Sequence, residues 1–335
     1  MKLATYQDGS RDGQLVVVSQ NLSQAHYASN IATRMQQLLD DWNFVAPQLE
    51  QLYQQLNHGK APHAFDFDPA RCMAPLPRPT DYLFGNLYAR VLDEQACPQI
   101  IAASSNSFVT QNTIIPDHVL QRDADFGAGL ACITDDIACN IHTEAAAESV
   151  RLLMLATHIV TNSASASLQL AENAGFQNQP MTVFSPVVIT PDELQDNWHQ
   201  GKTHLRLDIF LNNQVIARCP TDDALAFSFG ELLSCASQAH RIAAGTILCT
   251  GPVLHSDKAK GYTSIALKRH WEQLDHQQAS TPYLQPGDTL RIEIKGKDGL
   301  PLFGTISLKA AQQQAALPAD LPPLAGTTDH KTIPL

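Results

Sequence analysis

An exposed serine nucleophile, a phosphate cradle and a zinc hydrolase each require particular residues at fixed spacings. None of the corresponding patterns, Gly-x-Ser-x-Gly, Gly-x-x-x-x-Gly-Lys-Ser/Thr or His-Glu-x-x-His, occurs in the 335 residues. Gly127-Ala-Gly129 begins like a dinucleotide fingerprint, but Cys132 stands where the third glycine belongs and no strand–helix–strand unit follows. The thirteen histidines are scattered. The pairs His58/His63, His199/His204 and His270/His276 have the wrong spacing for one helical face and lie in polar stretches, so they read as surface residues rather than metal ligands. Seven cysteines, at 72, 97, 132, 139, 219, 235 and 249, form no Cys-x-x-Cys pair. Their odd number suits reduced, mostly buried thiols in a cytoplasm. Asp135-Asp136 and Asp222-Asp223 have turn composition and lack the apolar walls that tune a carboxylate for acid–base work.

The elements that would position such residues fall into two parts. Leu3–Tyr6 and Leu15–Ser19, joined by Asp8-Gly-Ser-Arg-Asp-Gly13, read as a hairpin. From Asn30 to Asn57 apolar residues recur every three or four positions, which predicts two helices split near Pro47. Four prolines between Phe67 and Pro79 make a hinge, so an N-terminal module of residues 1–76 is expected. The part from 77 to 310 is rich in strands. Candidates are Phe126–Ile133, Val183–Ile189, Leu205–Leu211, Val215–Ala217, Ile247–Thr250, Leu290–Ile294 and Leu302–Leu308. Asn212-Asn213 and Lys297-Asp-Gly299 supply turns. Thr143 is the expected cap of a helix preceding the apolar run Arg151–Val160, and Phe229–Ala239 is a second helix. Residues 311–335, rich in Gln, Ala and Pro, are expected to form a flexible tail. This is an α+β organisation.

Composition excludes several function classes. The 33 acids against 22 bases give a formal charge of −11, and no basic patch offers a nucleic-acid or anionic-membrane surface. The longest apolar runs, Leu15–Val18 and Leu152–Ala156, are far short of the roughly 20 residues that span a bilayer. Met1–Ser10 has no apolar signal region, so a cytoplasmic protein is expected.

Many ordered segments resemble the bacterial branch of the fumarylacetoacetate hydrolase family. In the first part these are Met1–Thr5, Ser10–Gly13, Leu39-Asp-Asp-Trp42, Phe67–Arg71 and Ala74-Pro-Leu-Pro77. In the second they include Arg151-Leu-Leu-Met-Leu155, Phe184-Ser-Pro186, Thr190–Leu194, Ala244–Ile247, Thr250-Gly-Pro252, Lys268-Arg269, Ser280-Thr-Pro282 and Leu284-x-x-Gly-Asp288. The resemblance implies a mixed β-roll domain carrying a small N-terminal α/β module, usually as a homodimer. It also implies hydrolysis of a C–C bond in acylpyruvate-like diketo acids, or decarboxylation or isomerisation of related compounds. In such enzymes carboxylates hold Mg²⁺ or Ca²⁺, which chelates the keto acid, and a His–Glu pair on a lid generates the attacking hydroxide.

The departures from that pattern fall on the site. The family's two metal-binding glutamates land on Gly127 and Gly129, its metal-binding aspartates on Cys97 and His158. The substrate-binding Arg, Gln and Lys land on Asn162, Ser165 and Gln179, while Thr182 is kept. Leu267 replaces an acid, and the shortened lid, Pro79–Ala96, contains no histidine. The resemblance therefore implies a family scaffold without its metal or other cofactor. Such a protein is expected to act as a non-catalytic subunit or to bind a small acidic ligand. The competing expectation is a diketo-acid hydrolase working through rearranged residues, or a softer metal such as Zn²⁺ held by Cys97 and His158.

Overall fold

The computed structural model describes residues 1–91, 94–161 and 179–312. The expected sites Asn162 and Ser165, and the expected tail beyond residue 312, lie outside the described residues. Strands β1 (Lys2–Tyr6) and β2 (Gln14–Val18) form the expected hairpin, with Leu3 opposite Val17. Its turn requires a glycine at 13, where φ is +62° and a Cβ would sit 2.6 Å from the Tyr6 carbonyl. β3 (Gln24–Tyr27) and β4 (Phe65–Asp66) extend this sheet.

Helices α1 (Met35–Asp40) and α2 (Trp42–Asn57) lie between β3 and β4 in the chain. Contrary to the sequence reading, the helices divide at Asp41, and Pro47 lies inside α2. Proline there removes one backbone donor. The helix continues because Val45, Ala46, Leu49, Tyr53 and Leu56 bury one face in the core that also holds Leu3, Leu15 and Val17.

β5 (Tyr82–Gly85), β6 (Ile100–Ala102), β7 (Phe108–Val109) and β8 (Ile114–Ile115) are short. After α3 (Asp117–Leu120) comes the wholly buried β9 (Asp125–Thr134). α4 (Thr143–Glu148) leads to β10 (Val150–Val160), so the apolar run is a strand buried on both faces. Thr143 is the first helical residue; the cap position belongs to His142 and carries no side-chain bond. The run expected from Val183 to Ile189 divides into β11 (Met181–Phe184) and β12 (Val188–Ile189), interrupted at Ser185–Val187. These strands assemble one twelve-stranded mixed sheet in the order β4-β3-β2-β1-β12-β10-β9, then β17 (Ile247–Cys249), β5 and β6. β11 joins it beside β10, and β7 beside β11. Since β1 pairs with β12, Leu3 opposite Val188, the two parts of the chain share this sheet.

β13 (Trp198–His199) and β14 (Lys202–Thr203) make a separate hairpin. β15 (Arg206–Leu211) and β16 (Gln214–Pro220) turn at Asn212-Asn213, both with positive φ, as a tight hairpin requires. With β18 (Thr289–Ile294), β19 (Ile306–Ala310) and β8 they form a five-stranded sheet. α5 (Phe229–Ser237) opens with a capping box: the Glu231 N–H donates to Ser228 Oγ, and the Ser228 N–H donates to Glu231 Oε2. α6 (Ile265–His276) completes the set. One core lies between the two sheets, joining Leu130, Leu155 and Val183 to Ile209, Ile292 and Ile306. The other lies between the large sheet and α1–α2. The result is the expected α+β architecture.

Candidate functional site

The register places the suspected residues in one row across four strands. Gly127 of β9 stands opposite His158 of β10, His158 opposite Thr182 of β11, and Thr182 beside Phe108 of β7. Gly129, two residues along β9, stands opposite Ala156. Strand alternation puts Gly127 and Gly129 on one face. That stretch is the middle of a strand, which disposes of the dinucleotide-loop reading.

The two glycines differ in the space they leave. A Cβ on Gly127 would meet Pro252 at 3.6 Å, an ordinary contact. A Cβ on Gly129 would lie 2.0 Å from the Gly251 carbonyl oxygen and 2.6 Å from Thr250 Oγ1. This neighbour cannot easily withdraw. The Thr250 N–H donates to the Leu130 carbonyl at 2.9 Å, the Val253 N–H donates to the Ala128 carbonyl at 2.9 Å, and Thr250 Oγ1 accepts from the Leu130 N–H at 3.0 Å. The backbone of 250–253 is stitched along β9, over the position where a side chain at 129 would begin.

His158 is 3% exposed and is enclosed by aromatic rings. Phe84 meets its imidazole edge-on with centroids 4.5 Å apart, and Tyr82 packs against Phe84, Phe108 and Phe184. Gln179 Nε2 donates to His158 Nδ1 at 2.9 Å. An imidazole that accepts at Nδ1 carries its proton on Nε2. That Nε2 is buried and has no hydrogen-bond partner among the described residues. Burial lowers the His158 pKa to about 3, so the ring is neutral at physiological pH and too weak a base to draw a proton from water there. Burial also pushes the Tyr82 hydroxyl well above its ordinary value and raises the Cys249 thiol. Thr182 Oγ1 lies 3.3 Å from Tyr82 Oη and 3.0 Å from Ser107 Oγ, which completes an uncharged cluster.

Beside this cluster is a cleft of about 410 Å³, lined by Ala102, Ser104, Asn106, Ser107, Gln179 and Pro180. Ser107 and Gln179 belong to both the cleft and the cluster.

The remaining expectations separate. Cys97 is exposed on the loop between β5 and β6, where Asn86 holds the chain by donating to the Cys97 carbonyl and accepting from the Gln99 N–H. Cys97 is thus an exposed thiol, whereas His158 is enclosed in the sheet. Among the described residues no group of three His, Cys, Asp or Glu could hold a metal. Asp135 pairs with Arg151, Asp136 accepts the Ala244 N–H, and Asp222 and Asp223 pair with His204 and Lys260. Leu267 is fully buried in α6. His58, His63, His199, His204 and His276 are exposed and His270 is half-buried.

Several buried polar groups were not anticipated. His255 is fully buried against Trp271. Asp125 accepts the Ile265 and Ala266 N–H groups at the start of α6. Asp208 and Glu293 face each other across β15 and β18, each 3% exposed, with Arg206, Arg291 and Lys295 as counter-charges. Only tertiary packing distinguishes such acids from solvated strand residues.

The family model described as Fumarylacetoacetase N-terminal domain 2 matches residues 1–78, and the one described as Fumarylacetoacetate (FAA) hydrolase C-terminal matches residues 86–307. The chain belongs to the fumarylacetoacetate hydrolase family. Similar solved structures share its fold at low identity. Fumarylacetoacetate hydrolase from Exiguobacterium antarcticum is 16% identical with a TM-score of 0.65, over 93% of this chain and 100% of that one. Maleylpyruvate hydrolase from Sphingobium sp. SYK-6 is 15% identical with a TM-score of 0.63, over the same shares. 2-Hydroxyhepta-2,4-diene-1,7-dioate isomerase from Mycobacterium marinum is 14% identical with a TM-score of 0.59, over 94% of this chain and 100% of that one. No protein of curated function matches the chain by sequence.

The fumarylacetoacetate hydrolase family fold implies a hard divalent cation, and the residues on this face do not fit one. Mg²⁺ and Ca²⁺ require several oxygen ligands, preferably carboxylates. Positions 127 and 129 offer no side chain, position 158 offers an imidazole already accepting at Nδ1, and Cys97 lies exposed on a loop.

Proposed function

We propose that this fumarylacetoacetate hydrolase family member does not carry out cation-dependent C–C bond cleavage and uses the scaffold to bind a small molecule. The observation that carries the reading is the Gly251 carbonyl seated 2.0 Å from the place of a Cβ at 129. A ligating side chain there is excluded by fixed backbone as well as missing from the sequence. The neutral state of His158 supports the same reading, since family chemistry needs a charged site and a base.

The test combines elemental analysis of the purified protein with an acylpyruvate cleavage assay in the presence of Mg²⁺ and Mn²⁺. The expected result is substoichiometric metal and no turnover above the uncatalysed rate. About one metal per chain together with turnover would establish the hydrolase reading that the names of the solved relatives suggest.

A further inference from the structure

We propose that the cleft beside Gln179 binds an uncharged small molecule bearing carbonyl, amide or hydroxyl groups. The inference rests on the preceding reading of this face as free of a cation, and it specifies the ligand class. A cleft of about 410 Å³ is within the range that encloses a small organic ligand.

Its described lining supplies hydroxyls from Ser104 and Ser107 and amides from Asn106 and Gln179, with no charged side chain among them. A carboxylate entering such a site loses its hydration without gaining a cation, whereas a neutral polar group exchanges water hydrogen bonds for protein ones. The charge of −11 on the whole chain further disfavours anions. The acidic ligand expected from the family resemblance is therefore replaced by a neutral one.

The groups facing the cleft are also polarised in a fixed sense. Gln179 commits its Nε2 to His158 Nδ1 and Thr182 Oγ1, at 2.9 and 3.3 Å. Its Oε1 accepts from no described residue and is available to a ligand N–H or O–H. Asn106 is exposed, and its side-chain amide bonds to no described residue, so it can both donate and accept. Ser107 Oγ is held between the Ser104 carbonyl and Thr182 Oγ1, which fixes its orientation. Behind Gln179 lies His158, 3% exposed and outside the cleft lining, with its Nε2 unpartnered among the described residues. His158 acts here as a positioning residue: by accepting at Nδ1 it holds the Gln179 amide with its oxygen free.

The experiment uses the full chain and matched pairs of ligands differing only in charge: pyruvamide against pyruvate, and N-benzoylglycinamide against N-benzoylglycinate. Saturation-transfer NMR is expected to detect the amide of each pair and not the acid. Gln179→Glu and Asn106→Leu, both at the cleft rim, are each expected to weaken amide binding by about tenfold, the cost of an unmade hydrogen bond. Equal or stronger binding of the acids, no binding of either member, or amide binding unchanged in both variants would each overturn the proposal. Failure of the earlier reading is separable: acid binding that requires added Mg²⁺, with turnover, indicates a working cation site. Absence of amide binding to metal-free, inactive protein refutes only the ligand class.

Discussion

The neutral, enclosed imidazole of His158 makes folding stability depend on pH in a calculable way. Its pKa is lowered from an ordinary 6.5 to about 3 by burial. In the unfolded chain the ring takes up a proton as pH falls through about 6.5; in the folded protein it stays neutral down to about pH 3. The contribution is fully present above the unfolded value and is lost as pH falls toward the folded one. Between about pH 8 and about pH 5.5 the unfolded state gains RT ln(1 + 10) from this group, about 1.4 kcal/mol, and about 2 kcal/mol by about pH 5. His255, also buried, has its pKa lowered by desolvation and then by Lys260, and it contributes in the same direction. The decisive comparison is therefore between the wild type and His158→Gln, which keeps an acceptor for Gln179 and removes the titration. Urea unfolding of both proteins at the two pH values should show the wild type losing about 1.4 kcal/mol more than the variant. Identical pH dependence of the two proteins, or an NMR titration of the His158 ring near its ordinary value, would refute the burial argument.

Other outcomes follow from the same geometry. Gly129→Ala forces backbone stitched to β9 to move, and urea unfolding should show a loss of about 1–3 kcal/mol, whereas Gly127→Ala should cost less than about 0.5 kcal/mol because its new methyl meets Pro252 at ordinary distance. Introducing carboxylates with the triple change Gly127→Glu, Gly129→Glu and His158→Asp should produce a less stable protein with no Mg²⁺ heat in calorimetry; stoichiometric binding would contradict the steric account. Glu272 is pushed up by burial, but the Thr281 hydroxyl, the Thr281 and Ser280 N–H groups and Lys268 more than offset this and bring it down to about 2. Its stabilising contribution is present above about pH 4.5 and lost as pH falls toward 2, so Glu272→Gln should flatten the acid limb of a plot of Tm against pH.

The legible parts of this fold were those with local causes. Asn212-Asn213 announced a hairpin because two adjacent residues tolerant of positive φ favour that turn, and both adopt it. A continuous apolar run located β9, and apolar residues every three or four positions located the α1–α2 pair. Local rules failed where packing decides. Pro47 looked like a helix break, but the buried face of α2 holds the helix through it. Thr143 has the right type for a cap, yet the helix starts one residue too early to use it. At the site, alternation sufficed to put Gly127 and Gly129 on one face, and the family resemblance placed His158 and Thr182 near them. Neither could reveal the Gly251 carbonyl against Gly129, the aromatic enclosure of His158 or the exposure of Cys97, because these depend on segments distant in the chain.

On the proposed reading, the residues on this face make physical sense as a set. Carboxylates at 127, 129 and 158 would be directed toward one another inside a buried sheet, and without a cation each would carry a desolvation cost of several kcal/mol plus mutual repulsion. Replacing only one of them would leave the others still dependent on an ion while weakening the site that holds it. Two glycines and a neutral imidazole remove the charge altogether. The glycine at 129 then lets the 250–253 backbone close onto β9, and the imidazole fills its place among Phe84, Tyr82 and Gln179. On that reading a face without an ion can be packed like the rest of the core, and Gly127 and Gly129 lie in a strand buried along its whole length. The lining limits what the adjoining cleft can recognise: with no charged side chain among its described residues, selectivity there rests on hydrogen-bond geometry.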